Sequence, residues 1–308
     1  MMMDLDQLIQ EGKVKRIFRA KQKLTLPHIV SHITQRAAGK DLLFIEDSDY
    51  LYMLSNIKEI AKSRSLDIYA FCLMPNHIHI LLSPQRDELH EVMRDLFSRY
   101  AMMFNRKYER KGHLFAGPYR QAVCLDDSYL LAASLYIHRN PARAGLVSNP
   151  RNYRWSSVKL FYDQKAPRSF VKPDFILRLL GGNEAKQKKV YSDLLDKSVS
   201  LRTGDVIEQK EAVRYLRKAL VKIFPTVFAG VRRKRQIAQR TGLDLLDEEE
   251  LEQTIKASRS SGARSPETKK GRRFLVEQLI VRGYKRKDIA VMLGVSVKTV
   301  YNILREKG

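Results

Sequence analysis

Long hydrophobic runs are missing from this sequence. Nowhere do about eighteen apolar residues follow one another, the length a bilayer-spanning helix needs, so no membrane partner is expected. Cysteine is scarce: Cys72 and Cys124 are the only two, and neither sits in a C-x-x-C pair or another metal-ligand spacing. No structural zinc and no disulfide are expected, and buried thiols fit a reducing compartment. Residues 1–13 carry acids among mostly polar neighbours and lack the charged-then-apolar order of a signal peptide, so a cytoplasmic location is the expectation. Acidic side chains are the minority, 34 against 57 lysines and arginines, for a net charge of +23. That surplus points to a polyanionic partner, although charge alone does not separate a nucleic acid from an anionic surface. What is present is a core: hydrophobic residues at 44% and aromatics at 9% exclude wholesale disorder and collagen-like architectures. A length of 308 residues suits one large or two modest domains.

The first half alternates strand and helix patterns. Residues 28–36 (HIVSHITQR) are β-branched and alternating, and 42–45 form a short apolar run, so both predict strands. A helix is predicted over 49–63, capped by Asp47 or Ser48, with Leu51, Leu54, Ile57 and Ile60 at helical spacing. Residues 66–82 read as two strands parted at Pro75-Asn76. A long helix follows over 87–110, then a short strand over 122–125 and a helix from Asp126 and Asp127. Pro141 is expected to end that helix, with Asn140 at or just beyond its last turn. This order predicts an α+β fold with helices on one face of an antiparallel sheet. Beyond 155–157 the chain becomes helical and charged, with a Gly181-Gly182 break and a polar linker at 258–265. Residues 286–293, Gly294-Val295 and 296–305 have the spacing of a helix, a turn and a Ser-capped helix, a helix-turn-helix. The expected division is 1–165, a helical connecting region at 166–257, and a linker with the helix-turn-helix at 258–308.

Two clusters can carry chemistry. In His77-Ile78-His79 the period of a strand sends both imidazoles to one side and the isoleucines to the other. Two imidazoles on one face are either exposed surface residues or groups at a groove that meet a metal or carboxylate. In Tyr136-Ile137-His138-Arg139-Asn140-Pro141, Tyr136 and Asn140 share a helix face at i and i+4. Each also has an ordinary reading, a half-buried packing tyrosine and an asparagine at a helix stop.

Residues 74–82 (MPNHIHILL), 136–147 (YIHRNPARAGLV) and 153–157 (YRWSS) together resemble the HUH single-tyrosine transposases, in particular the REP-associated tyrosine transposases. The resemblance spans about residues 18–162. It implies a ferredoxin-like antiparallel sheet with both histidines on a central strand, and a domain 1–165 of that kind. It implies that His77, His79 and Asn140 hold a divalent cation, Mg²⁺ or Mn²⁺, and that Tyr136 is the nucleophile. The expected activity is cleavage and rejoining of single-stranded or hairpin DNA through a 5′-phosphotyrosine, with REP-like inverted repeats among the candidate targets. A nucleoid association follows, as a monomer or homodimer. A phenol of ordinary pKa about 10 needs help to attack a phosphodiester, and a Lewis acid supplies it. The chain departs from many relatives at Phe115-Ala116-Gly117-Pro118, where they carry Trp followed by Gln or Glu.

Arg99, Arg106, Lys107, Tyr119 and Arg120 interleave cations and rings as a single-stranded DNA substrate requires; the plain alternative is a solvated helix face. Ser296, Lys298, Thr299, Asn302 and Arg305 give the last helix a polar, basic surface suited to DNA, where a packed helical hairpin would need none. The competing functional class is a non-catalytic DNA-binding regulator derived from a transposase.

Overall fold

The computed structural model describes residues 27–39, 41–86, 88–124, 126–201, 209–234, 246, 248–260, 266–281 and 284–305. Its sheet has the order β2-β3-β1-β4, all antiparallel, from β1 (Ser31–Arg36), β2 (Leu66–Met74), β3 (His77–Pro84) and β4 (Arg120–Val123). With α1 (Asp47–Ser63) between β1 and β2, and α2 (Leu89–Lys107) between β3 and β4, this is the ferredoxin-like arrangement. Every residue of β2 is buried although it lies at the sheet edge. The downstream chain covers that edge: Trp155 O accepts from Leu73 N at 2.9 Å, and Ser157 N donates to Phe71 O at 3.0 Å. The 153–157 motif therefore seals the exposed ladder, and Trp155 stacks on Tyr50 of α1 at 4.4 Å.

Alternation along the strands makes two dissimilar faces. Ile33, Phe71, Ile78, Ile80 and Leu82 point to one, where α1 and α2 bury Met53, Ile57, Met93 and Leu96 against them. This is the expected helical layer on one face. The opposite face, bearing Cys72, Met74 and Leu81, is covered by α3 (Asp127–Arg143) and, over it, α4 (Glu184–Ser200), α5 (Gln209–Ile223) and α6 (Pro225–Lys234). Both cysteines are free and buried.

Two local expectations change. Residues 42–45 form no strand; Leu43 N and Phe44 N both donate to Pro75 O, at 2.7 and 3.3 Å, so an apolar run that fits a strand is used as a loop that buries Leu43 and Phe44 and leaves Leu42 and Ile45 exposed. Helix α3 passes Asn140 and Pro141 and ends at Arg143, because the cap amide of Ala144 still reaches Asn140 O at 2.9 Å. Proline's missing N–H costs one bond there without breaking the last turn.

In the C-terminal region, α7 (Glu248–Ser260), α8 (Pro266–Val281), α9 (Arg286–Leu293) and α10 (Val297–Arg305) share a separate core of Leu251, Ile255, Leu275, Leu279, Ile289, Leu293 and Val300. Gly294 between α9 and α10 takes φ +65°, a left-handed turn that glycine adopts without strain.

Candidate functional site

The β1–β3 register sets Arg36 opposite His77 and Thr34 opposite His79, so four side chains from two strands share the face under α3. The two imidazoles lie 4.8 Å apart, edge to face. Tyr136 descends from α3 with its ring 5.8 Å from that of His79, and Asn140 follows one turn later. These groups line one cavity of about 220 Å³ together with Arg36, Arg120 and Arg143.

Each imidazole is prepared in a different way. His77 Nδ1 lies 2.6 Å from Asn76 Oδ1, which can only accept, so Nδ1 carries the proton and Nε2 keeps its lone pair. Burial, reinforced by the Arg36 guanidinium, pushes the His77 pKa down to about 4. His79 Nδ1 meets His32 Nε2 at 3.0 Å and Thr34 Oγ1 at 3.2 Å. Burial first, then His77, His32 and Arg36, holds His79 well below the usual histidine range. His32, itself buried and pushed down to about 3 by desolvation, is neutral and can accept the Nδ1 proton. That leaves His79 Nε2, a buried atom with no partner. Asn140 Nδ2 is also buried and unpartnered, a donor that calls for an acceptor such as a phosphate oxygen.

Orphaned polar atoms cost free energy unless a ligand completes them. Two neutral imidazoles and a carboxamide around one cavity are a donor set that a divalent cation accepts, and His32 and Thr34 supply the outer hydrogen bonds that orient such ligands. Among the described residues no group of three or more His, Cys, Asp or Glu side chains is arranged to hold a cation. Asn140 lines the same cavity and carries an amide oxygen there.

The other sequence-derived residues fall into separate places. Arg120 lines the Tyr136 cavity. Tyr119 is buried and faces a second cavity on the other side of the sheet. Arg99 and Lys107 sit on α2, where Arg99 pairs with Glu59 at 2.8 Å and Lys107 binds Glu46, Ser48 and Asp49 at the start of α1; Arg106 is exposed on the same helix. Just before α10, Ser296 Oγ accepts from Thr299 N at 3.0 Å; in the helix Lys298 and Asn302 are exposed, and the Arg305 side chain lies outside the described residues. Sequence reasoning missed His32, Thr34, Arg36 and Arg143. Strand alternation in 31–36 would have put the first three on one face, but only the register with β3 shows which histidine they meet.

Residues 25–140 match the family model described as Transposase IS200 like. A solved structure of a REP-associated tyrosine transposase bound to a REP hairpin is similar with a TM-score of 0.42 and 12% identity, over 50% of this chain and 94% of that one. No curated protein matches the chain. The segment similar to that family begins just before β1 and runs through His77, His79 and Tyr136 to Asn140.

Proposed function

We propose that the protein cleaves and rejoins single-stranded or hairpin DNA through a covalent 5′-phosphotyrosine on Tyr136, with a divalent cation held by His77, His79 and Asn140. The observation that carries this reading is the convergence of those four side chains on one cavity with His79 Nε2 unpartnered. When bound, Mg²⁺ or Mn²⁺ would withdraw charge from a non-bridging phosphate oxygen. The Tyr136 hydroxyl attacks phosphorus, its proton passing to solvent, while the P–O3′ bond breaks and the 3′ oxygen leaves as a hydroxyl after taking up a proton. Arg36, Arg120 and Arg143 ring the cavity with guanidinium groups that meet the phosphate and the charge that builds on it. Packing of α3 on all sides holds the phenol against the sheet, so the attack geometry is set before substrate arrives. The covalent bond stores the energy of the broken one, and attack by a 3′-hydroxyl reverses the step without ATP. REP-like inverted repeats are a fitting substrate, since a hairpin places unpaired flanks beside a basic surface.

The test is incubation with end-labelled hairpin DNA and Mn²⁺, followed by denaturing electrophoresis. A protein–DNA adduct is expected from the wild type and none from Tyr136→Phe, with hairpin affinity unchanged between the two. Binding without any adduct in the wild type would turn the assignment to a DNA-binding regulator.

A further inference from the structure

A cavity of about 590 Å³ opens between α2 and the 112–119 loop, on the face of the sheet opposite Tyr136. Its wall is aromatic and apolar: Phe97 and Phe115 lie edge to face at 5.4 Å, with Met93, Ala101 and Tyr119 beside them. At its rim Arg94 is exposed and pairs with Asp95 at 3.2 Å, beside the exposed His90 and His113. One polar group inside is unfinished. Asn105 Nδ2 donates to Gly112 O at 2.9 Å, and Asn105 Oδ1 is buried without a partner. An acceptor held in this way calls for a donor on the occupant.

Position says where that occupant comes from. Along β1, Gln35 lines this cavity and Arg36 the Tyr136 cleft; along the chain entering β4, Tyr119 lines this cavity and Arg120 the cleft. Successive residues thus serve two sites on either side of one sheet edge. The loop wall is fixed to that edge, since Ala116 N donates to Arg36 O at 3.0 Å and Gln35 Nε2 to Gly117 O at 2.9 Å. Gly117 adopts φ +144°, which lets the wall turn there without side-chain strain.

We propose that this cavity captures an unpaired base of the DNA strand whose phosphate lies at Tyr136, the strand crossing the β4 edge between the two sites. This rests on the proposed function and adds a base-specific subsite to it. Aromatic walls stack a base, and the Asn105 carbonyl oxygen accepts from a ring or exocyclic N–H. The volume lies within the range of sites that enclose small planar ligands.

The test uses full-length Tyr136→Phe protein, which binds without cutting, and hairpins with single-stranded flanks in which each flanking base in turn is replaced by an abasic site. Fluorescence anisotropy is expected to find one or two positions near the cut where loss of the base weakens binding about tenfold, in line with the worth of a stacked base. Filling the cavity with Ser98→Trp or, separately, Ala101→Phe should remove that sensitivity, so that intact and abasic DNA bind alike; Ser98 is exposed and its replacement leaves the core intact. A flat scan, or the same sensitive position in both filled variants, overturns the proposal. If the wild type still forms its covalent adduct on the same hairpins, only the base subsite falls. If it neither binds nor forms an adduct, the reading of the catalytic site falls with it.

Discussion

His32 explains how His79 can be buried, neutral and still aimed. An imidazole has two nitrogens, and a ligand needs one of them to carry the proton elsewhere. His32 Nε2 and Thr34 Oγ1 both lie within hydrogen-bond reach of His79 Nδ1, so that nitrogen has an acceptor and Nε2 faces the cavity bare. Replacing His32 with Phe keeps a ring in the buried space and removes the nearer of the two acceptors. The expected outcome is a ten- to hundredfold loss in cleavage, the usual scale for an orienting partner behind a ligand, with the Mn²⁺ dependence displaced to higher concentration. Metal-free hairpin binding should not change, which separates orientation from folding; Thr34→Val should follow in the same direction with a smaller loss. At this scale the sequence showed what lies within one element. The period of two in 77–79 and the i, i+4 spacing of Tyr136 and Asn140 were readable. His32 was not, because its meeting with His79 depends on a strand register between residues 47 positions apart. Lys107 escaped for the same reason: its basic character was legible and its partners on α1 were not.

At the scale of elements, α3 is buried from Asp127 to Pro141, more than an amphipathic surface helix allows, because it lies between the sheet and the helical region. A polar chain fixes it there. The Tyr191 hydroxyl of α4 donates to Ser134 Oγ at 3.0 Å and so accepts from His138 Nδ1 at 2.8 Å, while His138 Nε2 meets Ser157 Oγ at 2.8 Å. Ser157 also accepts from Phe71 N of β2 at 2.9 Å, so helix, sheet and downstream chain are joined in one buried network. Tyr191→Phe leaves both His138 Nδ1 and Ser134 short of a partner and should cost about 1–2 kcal/mol in urea unfolding. Because α3 carries both Tyr136 and Asn140, the same variant should also slow adduct formation. The start of α1 is held by Asp49: burial alone would raise its carboxyl, but hydrogen bonds from Lys107, from the amides of Ile45 and Glu46 and from Tyr108 prevail and keep it below the ordinary range. A depressed carboxyl contributes stability above its unfolded pKa, about 3.9, and loses it as pH falls through the folded value. Asp49→Asn should therefore lower the Tm at pH 7, with the gap to wild type closing below about pH 4 in parallel melts. Periodicity showed most elements, and it misassigned 42–45 because a half-buried loop bonded to Pro75 O has the same apolar signature as a strand.

For the whole molecule the surplus charge of +23 is spread over parts with separate cores. The helical layer over the second sheet face was outside sequence reasoning, since its helices are amphipathic only with respect to α3, an element in another part of the chain. The last two helices, by contrast, announced themselves through Gly294 and the Ser296 cap. Their core of Ile289, Leu293 and Val300 shares nothing with the residues around Tyr136, and we propose that α10 adds DNA affinity without touching the reacting groups. Lys298 and Asn302 are exposed on that helix and neither contributes to its core. Lys298→Ala combined with Asn302→Ala should weaken DNA binding and reduce the slope of log affinity against log salt by about one, the share of one phosphate contact. Adduct formation at saturating hairpin should stay at the wild-type rate. A fall in that rate at saturation would mean that the C-terminal helices take part in assembling the Tyr136 site, and the two would then have to act as one unit on a single stretch of DNA.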